Sequence, residues 1–359
     1  MILNLLVILL MAVTFYKIKI TKPLLAIDEE YLSVASCNAY RGFFALVVML
    51  HHIAQRTTPP VLLKDFLRVG FLAVSVFFFF SGYGLQKKNL TDHKYSRGFL
   101  IKRIPTVLIP YAVMTFVYWA MYALYGDVRT LADIWHNFIA YGDPIVWFSW
   151  YVVSILVFYL AFYVLMKICR KNNIAIIFGG IVYYILYVWV CRKLGFGTWW
   201  YHSARLPVLG ITWATYEKQI LALCKKAYFL ITPLLWVVFV LVAKNSHMLT
   251  GMINSVYGEL IVNTFMSTLY VSALVLTAMK IRPANKILNF LGGISFELYM
   301  VHGLAMSGLR NDFLRIENDT LWTVLVIVIS VLLAYLFHKL FAYILGQYKK
   351  LIHKIEVYR

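Results

Sequence analysis

The chain has 359 residues, 62% of them hydrophobic and only 14% charged. A soluble domain runs nearer half apolar and a quarter charged, and a transmembrane barrel would show short alternating segments, so the composition reads as an all-α polytopic membrane protein. Its net charge of +19 is what positive-inside topology produces rather than a nucleic-acid footprint, and no nucleic-acid partner is expected.

The four cysteines, Cys37, Cys169, Cys191 and Cys224, are scattered without a C-x-x-C pair. Neither a metal site nor a disulfide framework is therefore indicated. Apolar runs of roughly spanning length fall at about 1–16, 38–55, 66–86, 104–125, 147–167, 174–191, 199–216, 227–243, 256–279, 287–308 and 320–346. The first is short for a span, and it lacks the basic n-region and cleavage site of a signal peptide. It is expected as an extra transmembrane helix, with an interfacial helix or a wrongly assigned start as the alternative. The division expected is an N-terminal membrane segment and connector at 1–35, an integral-membrane domain at 36–346 and a basic cytoplasmic tail at 347–359.

Basic residues alternate between the connectors. Gln86 to Arg103 holds Lys87, Lys88, Lys94, Arg97, Lys102 and Arg103 against one acid, Asp92. Lys167, Arg170 and Lys171 follow two connectors later, then Lys218, Lys225 and Lys226, then Lys280, Arg282 and Lys286, then the tail Lys349, Lys350, Lys354 and Arg359. The alternate connectors carry Asp127, Asp133 and Asp143, then Asp312, Glu317 and Asp319. The basic set is expected on the cytoplasmic side, with the C-terminus.

Arg41 and His52 share one apolar segment, Tyr40-Arg-Gly-Phe-Phe-Ala-Leu-Val-Val-Met-Leu-His-His-Ile-Ala54. Ionisable groups within hydrocarbon are costly and mark functional sites. Eleven residues at about 100° each bring the two onto one helix face about 16 Å apart, with His51 pointing about 100° away. Counted from Asn38, His52 lies about 20 Å from the cytoplasmic end. It fits a base of near-neutral pKa, and it also fits a polar helix-packing histidine. Arg41 stays cationic, as an anion ligand or a snorkelling interfacial residue.

Arg97, Lys102 and Arg103 form a basic cluster on the expected cytoplasmic side, able to meet an anion, although positive-inside residues look the same. Ser81 follows four phenylalanines beside Gly82 and Gly84, the small-residue pattern of close helix approach. Trp147 and Trp150 fit an aromatic belt, and Trp147 reads as structural first. Arg205, a few residues inside the outer face, is a candidate contact for an anionic or sugar ligand. Glu297 is expected about ten residues into its helix and paired with a cation or histidine, or else protonated. Ser295, Tyr299 and His302 share a face with Glu297 off it, and His302 falls at about the depth of His52.

These residues carry a resemblance. The chain resembles the acyltransferase-3 family of membrane-bound acyltransferases over about residues 36–346. Arg41-Gly with ten residues between Arg41 and His52 is similar to its Arg-x10-His signature, and Phe77-Phe-Phe-Phe-Ser-Gly-Tyr-Gly84 to its Phe-Phe-x-x-Ser-Gly-Phe element. Phe99-Leu-Ile-Lys-Arg-Ile-Pro-Thr-Val-Leu-Ile-Pro-Tyr111 resembles the basic start of its third helix. Trp147-Phe-Ser-Trp-Tyr-Val-Val resembles the start of the fourth, and Arg205-Leu-Pro-Val-Leu-Gly210 a later element. Gly292-Gly-Ile-Ser-Phe-Glu-Leu-Tyr-Met-Val-His302 resembles the near-terminal motif. The chain departs at Thr106, where family members often carry a second arginine.

The resemblance implies a ten-helix core that moves an acyl group, usually acetyl, from acetyl-CoA to a hydroxyl of a cell-surface carbohydrate. Donor and acceptor would meet from opposite sides of a bacterial-type inner membrane. No bound cofactor is implied; acyl-CoA and the carbohydrate are the partners beside the bilayer, and the oligomeric state stays open. His52, Arg41 and Glu297 would be catalytic, and Arg103, Lys102 and Arg97 would bind donor. His302, Tyr299, Ser295, Arg205, Ser81 and Trp147 would bind acceptor or shape the site. The rival readings are a polysaccharide exporter, which would show paired broken helices, and a sensory or anchoring module without turnover.

Overall fold

Backbone polar groups in hydrocarbon must be satisfied within their own segment, which makes long apolar runs helices. The computed structural model describes residues 2–23, 26–58, 61–92, 94–170, 172–253, 255, 257–312 and 314–357. Lys171 and Arg359, counted above among the basic residues, lie outside the described residues. Among the described residues seven helices are long and apolar enough to cross a membrane: Val34–Ala54, Pro105–Leu124, Trp150–Ile168, Asn173–Lys193, Glu217–Lys244, Gly258–Ala278 and the one that begins at Asp319. The protein is a nearly all-helical polytopic membrane protein.

The remaining expected segments differ in instructive ways. Gly70–Thr91 has 22 residues, enough to span, but its small and polar residues dilute its hydropathy because it sits inside the bundle. The run at 199–216 does not form one helix. It divides into a 3-10 turn at Thr198–Trp200 and a helix at Leu206–Thr215, with Pro207 in its first turn. The run at 287–308 is two helices, Lys286–Gly293 and Ser295–Leu309, bent by 75°. Ile2–Phe15 has 14 residues, about 21 Å, shorter than a ~30 Å hydrocarbon core. The span expected from 227 does begin there: the helix Glu217–Lys244 kinks at Ala227 (φ −132°), separating its basic first turns from its apolar remainder.

Glycine sets the closest crossings. A Cβ on Gly42 would lie 2.1 Å from the Leu288 carbonyl oxygen, and one on Gly292 would lie 1.9 Å from that of Asn38. The first half of the broken pair is thus seated directly against the segment that carries Arg41. In the same way a Cβ on Gly82 would meet the Pro207 carbonyl oxygen at 2.0 Å, which is why Leu206–Thr215 lies in close contact with Gly70–Thr91 beside Ser81.

The basic connectors gather on one face. Ile18–Ile20 pairs antiparallel with Ile281–Pro283. Arg282 bridges Asp28 at 2.7 Å, Lys225 bridges Glu29 at 2.6 Å, and Lys87 bridges Glu217 at 2.6 Å. Glu217 also accepts hydrogen bonds from the Tyr31 and Tyr83 hydroxyls. These contacts join three of the basic connectors and the segment before Val34 into one layer. On the opposite face Arg310 bridges Asp319 at 2.7 Å and donates to the Arg56 carbonyl oxygen. Residues 347–357, expected as a tail, continue the last helix, Asp319–Val357.

Candidate active site

His52 sits on Val34–Ala54, and His302 sits on Ser295–Leu309. Both are buried, and His52 Nδ1 lies 2.7 Å from His302 Nε2. The hydrogens follow from the partners. His302 Nδ1 is 3.1 Å from the Leu298 carbonyl oxygen, which can only accept, so this nitrogen carries the hydrogen. His302 Nε2 is then an acceptor, and His52 Nδ1–H donates to it. The network leaves His52 Nε2 with its lone pair.

Phe148 holds the pair from the side. Its ring stacks on His52 at 3.6 Å and 7°, and on His302 at 5.3 Å and 10°. Its backbone is left-handed, φ 63°, an outlier for a bulky residue that marks a constrained site. Its carbonyl oxygen accepts from the Tyr299 hydroxyl. Sequence reasoning stopped at the flanking Trp147 and missed Phe148, because a ring between two belt tryptophans carries no signal of its own. Trp147 braces the turn: its Nε1 donates to the Tyr122 hydroxyl at 2.6 Å, and Arg56 lies 4.9 Å over its ring.

Two cavities flank this centre. One, of about 790 Å³, opens toward the acidic face and is lined by His51, His52 and Tyr299 together with Asp143, Trp199, His202, Glu259 and Asn263. The other, of about 370 Å³, lies toward the basic face and is lined by Asn38, Arg41, Phe77, Tyr151, Ser295 and Phe296. Val74 and Tyr299 belong to both walls, so they stand between the two. Arg41 donates to Asn38 Oδ1 at 3.2 Å, and its guanidinium lies 5.9 Å over the Phe80 ring. Ser81 donates to the Phe77 carbonyl oxygen at 2.9 Å. Of the sequence candidates, Arg41, His52, Ser295, Tyr299 and His302 are thus brought together around one route across the fold.

Glu297 lies off that route. It is in the first turn of Ser295–Leu309 rather than ten residues into a helix, because the chain bends at Ile294. It is buried and accepts from His338 Nδ1 at 3.0 Å, a histidine partner of the expected kind. His338 was not singled out from the sequence, where it is one histidine in a long apolar helix.

Arg97, Lys102 and Arg103 line a third cavity, of about 620 Å³, on the basic face. Thr106, where the arginine of the family pattern is replaced, lines it too. Its hydroxyl turns back to the Arg103 carbonyl oxygen at 2.7 Å. Arg205 donates to Thr268 outside the lining of the His52 cavity, to which His202, Glu259 and Asn263 supply polar groups from that region. In the same cavity, burial raises the Asp143 carboxyl above the usual carboxylate range, against a smaller opposing pull from Arg129. Among the described residues no group of three or more His, Cys, Asp or Glu is placed to hold a metal ion.

A family model described as an acyltransferase domain matches residues 34–339, most of the chain. No curated protein and no solved structure matches it.

Proposed function

Since the chain belongs to the acyltransferase-3 family, we propose that this acyltransferase takes an acyl group, most simply acetyl, from cytoplasmic acyl-CoA. It transfers that group to a hydroxyl of a cell-surface or exported carbohydrate. The observation that carries the reading is the histidine pair. His52 is held in one tautomer by His302, on the wall of a cavity open to the acidic face, while Arg41 on the same helix lines the cavity toward the basic face. A base fixed between two compartments is what transfer between them requires.

In the direct route the acceptor hydroxyl enters from the acidic side and the thioester from the basic side. His52 Nε2 takes the hydroxyl proton as the oxygen attacks the thioester carbon. The imidazolium that forms keeps its Nδ1–H bond to His302, which orients it as a carboxylate does in a Ser-His-Asp triad. The C–S bond then breaks, and the CoA thiolate takes the proton from Nε2. One ester and one free thiol result. In the two-step route Nε2 itself attacks the thioester, the C–S bond breaks and the CoA thiolate leaves; the hydroxyl oxygen then attacks the acyl-imidazolium, the N–acyl bond breaks to restore Nε2, and the hydroxyl proton goes to the thiolate. Arg41 neutralises negative charge arriving on the basic side, on a phosphate or on the thioester oxyanion. Arg97, Lys102 and Arg103 take the CoA phosphates. The aromatic and carboxylate lining of the outer cavity (Trp199, Asp143, Glu259) suits the apolar faces and hydroxyl edges of a sugar.

An exporter would need paired broken helices. Among the described residues one helix pair is bent, and it serves to bring Ser295, Tyr299 and His302 beside His52.

The test is incorporation of radiolabelled acetyl from acetyl-CoA into envelope glycans, in membranes carrying wild type or His52→Ala. Label with wild type alone supports the reading and marks the acceptor. Equal label from both, at matched expression, removes His52 from the chemistry.

A further inference from the structure

The last helix is longer than a membrane needs. Asp319–Val357 has 39 residues, about 58 Å, nearly twice the ~30 Å of hydrocarbon. The family match ends at residue 339, so the helix's final stretch lies beyond it. That stretch is docked on the protein. The Tyr348 hydroxyl donates to the Ile101 carbonyl oxygen at 3.2 Å. Leu345, Tyr348, Lys349, Ile352 and His353 form one wall of the basic cavity, and Lys88, Lys94, Arg97, Lys102 and Arg103 line the rest.

The chemistry inside is that of a polyanion carrying an aromatic group. Cations face it from both walls. Among the described residues one acid, Asp92, lines it, and a carboxylate oxygen of Asp92 is occupied by the Lys94 backbone N–H at 2.9 Å. Tyr95 also lines the cavity, edge-on to Phe99 at 5.4 Å. Its hydroxyl is buried and, among the described residues, has no hydrogen-bond partner. A buried hydroxyl without a partner costs stability unless a ligand completes it. Multiple phosphates beside a flat purine satisfy all of these groups together.

We propose that the C-terminal extension of the last helix is the second half of the donor site and clamps the adenosine 3′,5′-bisphosphate end of acyl-CoA. Lys349 and His353 contact phosphate opposite Arg97, Lys102 and Arg103, with Tyr348 and Tyr95 against the nucleoside. The proposal rests on the acyl-CoA reading above. An anionic lipid headgroup offers the same phosphate chemistry without the purine.

The experiment titrates CoA, and separately adenosine 3′,5′-bisphosphate, into the full chain in nanodiscs of zwitterionic lipid. It compares wild type, Arg103→Ala, Lys349→Glu and the double variant Tyr348→Ala/Lys349→Gln, the last keeping a helix-compatible polar residue at 349. Both extension variants are expected to weaken both ligands about tenfold or more, the scale of one lost charge-assisted hydrogen bond. They should also raise the donor KM while leaving kcat at saturating donor near wild type. If wild type and Arg103→Ala differ but the extension variants bind as wild type, the clamp is overturned and the donor reading stands. If wild type binds neither ligand, the donor reading itself falls. If the extension variants change only the response to added phosphatidylglycerol, the wall serves lipid and the proposal is overturned.

Discussion

His52 Nδ1 lies 2.7 Å from His302 Nε2, across 250 positions of sequence. The bond has a direction, because His302 must spend its own Nδ1–H on the Leu298 carbonyl oxygen. His302 can therefore act on His52 only as an acceptor. Replacing it with alanine should leave His52 free to change tautomer and lower kcat about 10²-fold, with little effect on either KM. His302→Gln, whose carbonyl oxygen can accept the same hydrogen bond, should recover part of the loss. Initial rates with labelled acetyl-CoA decide this, and full activity in His302→Ala would remove the orienting role.

Phe148 offers a way to separate stability from chemistry. Its left-handed backbone, φ 63°, costs on the order of 1 kcal/mol or more for a bulky residue, and glycine would relieve that cost. Phe148→Gly also deletes the ring stacked 3.6 Å from His52. The expected outcome is a thermal midpoint in detergent that holds or falls only slightly, with transfer reduced by about tenfold or more. Phe148→Tyr, which keeps the ring, should stay close to wild type. Loss of folding in Phe148→Gly would mean that the ring serves packing, and full transfer in Phe148→Gly would remove the ring from the site.

Much of this arrangement is legible in the sequence where periodicity or charge decides it. Arg41 and His52 fall on one stripe because a helix in hydrocarbon has no alternative geometry. The basic connectors share a face because their charges avoid the bilayer, and the Arg282–Asp28, Lys225–Glu29 and Lys87–Glu217 pairs join them there. Less legible is whatever depends on two segments meeting. Gly292-Gly293 reads in the sequence only as part of a longer motif, and nothing in it tells that the chain bends by 75° after it. The expectation for Glu297 at ten residues into a helix fails for that reason. Phe148 and His338 matter only through neighbours far away in sequence.

Glu297 and His338 form a pair with one member buried and the other half exposed. Solvent screens such a pair, so its removal should cost only about 1 kcal/mol. Glu297→Gln keeps an acceptor for His338 and should match wild type in thermal midpoint, whereas Glu297→Ala should fall below it. Transfer separates the roles: a chemical role for the carboxylate predicts lost turnover in the Gln variant at unchanged stability. Normal turnover in Gln confines Glu297 to holding the two helices together.

The Gly42–Gly292 crossing should be among the least tolerant places in the fold. The atoms facing each absent Cβ are backbone, the Leu288 and Asn38 carbonyl oxygens, and backbone cannot rotate aside as a side chain can. Gly292→Val should therefore drive the helices apart and displace Ser295 from the Arg41 cavity, at a cost of about 3 kcal/mol or more. Gly84, with nothing within 4 Å of its Cβ position, is the matched control, and Gly84→Ala should be neutral. Yield and elution profile in detergent report the difference; equal behaviour of the two variants would contradict the crossing.

Asp143 sets a pH dependence on the acidic face. Burial raises its carboxyl above the ordinary range, so between the ordinary and the raised pKa the folded protein holds a proton that the unfolded chain has released. Stability then falls as pH rises through that window and is flat above it. Asp143→Asn mimics the protonated form and should abolish this component, leaving the variant more stable than wild type above the window and equal to it below. Thermal midpoints of both proteins across pH 3.5 to 7, roughly the span over which a raised carboxyl titrates, measure the effect. Parallel curves would show that Asp143 meets water as freely in the folded protein as in the unfolded chain.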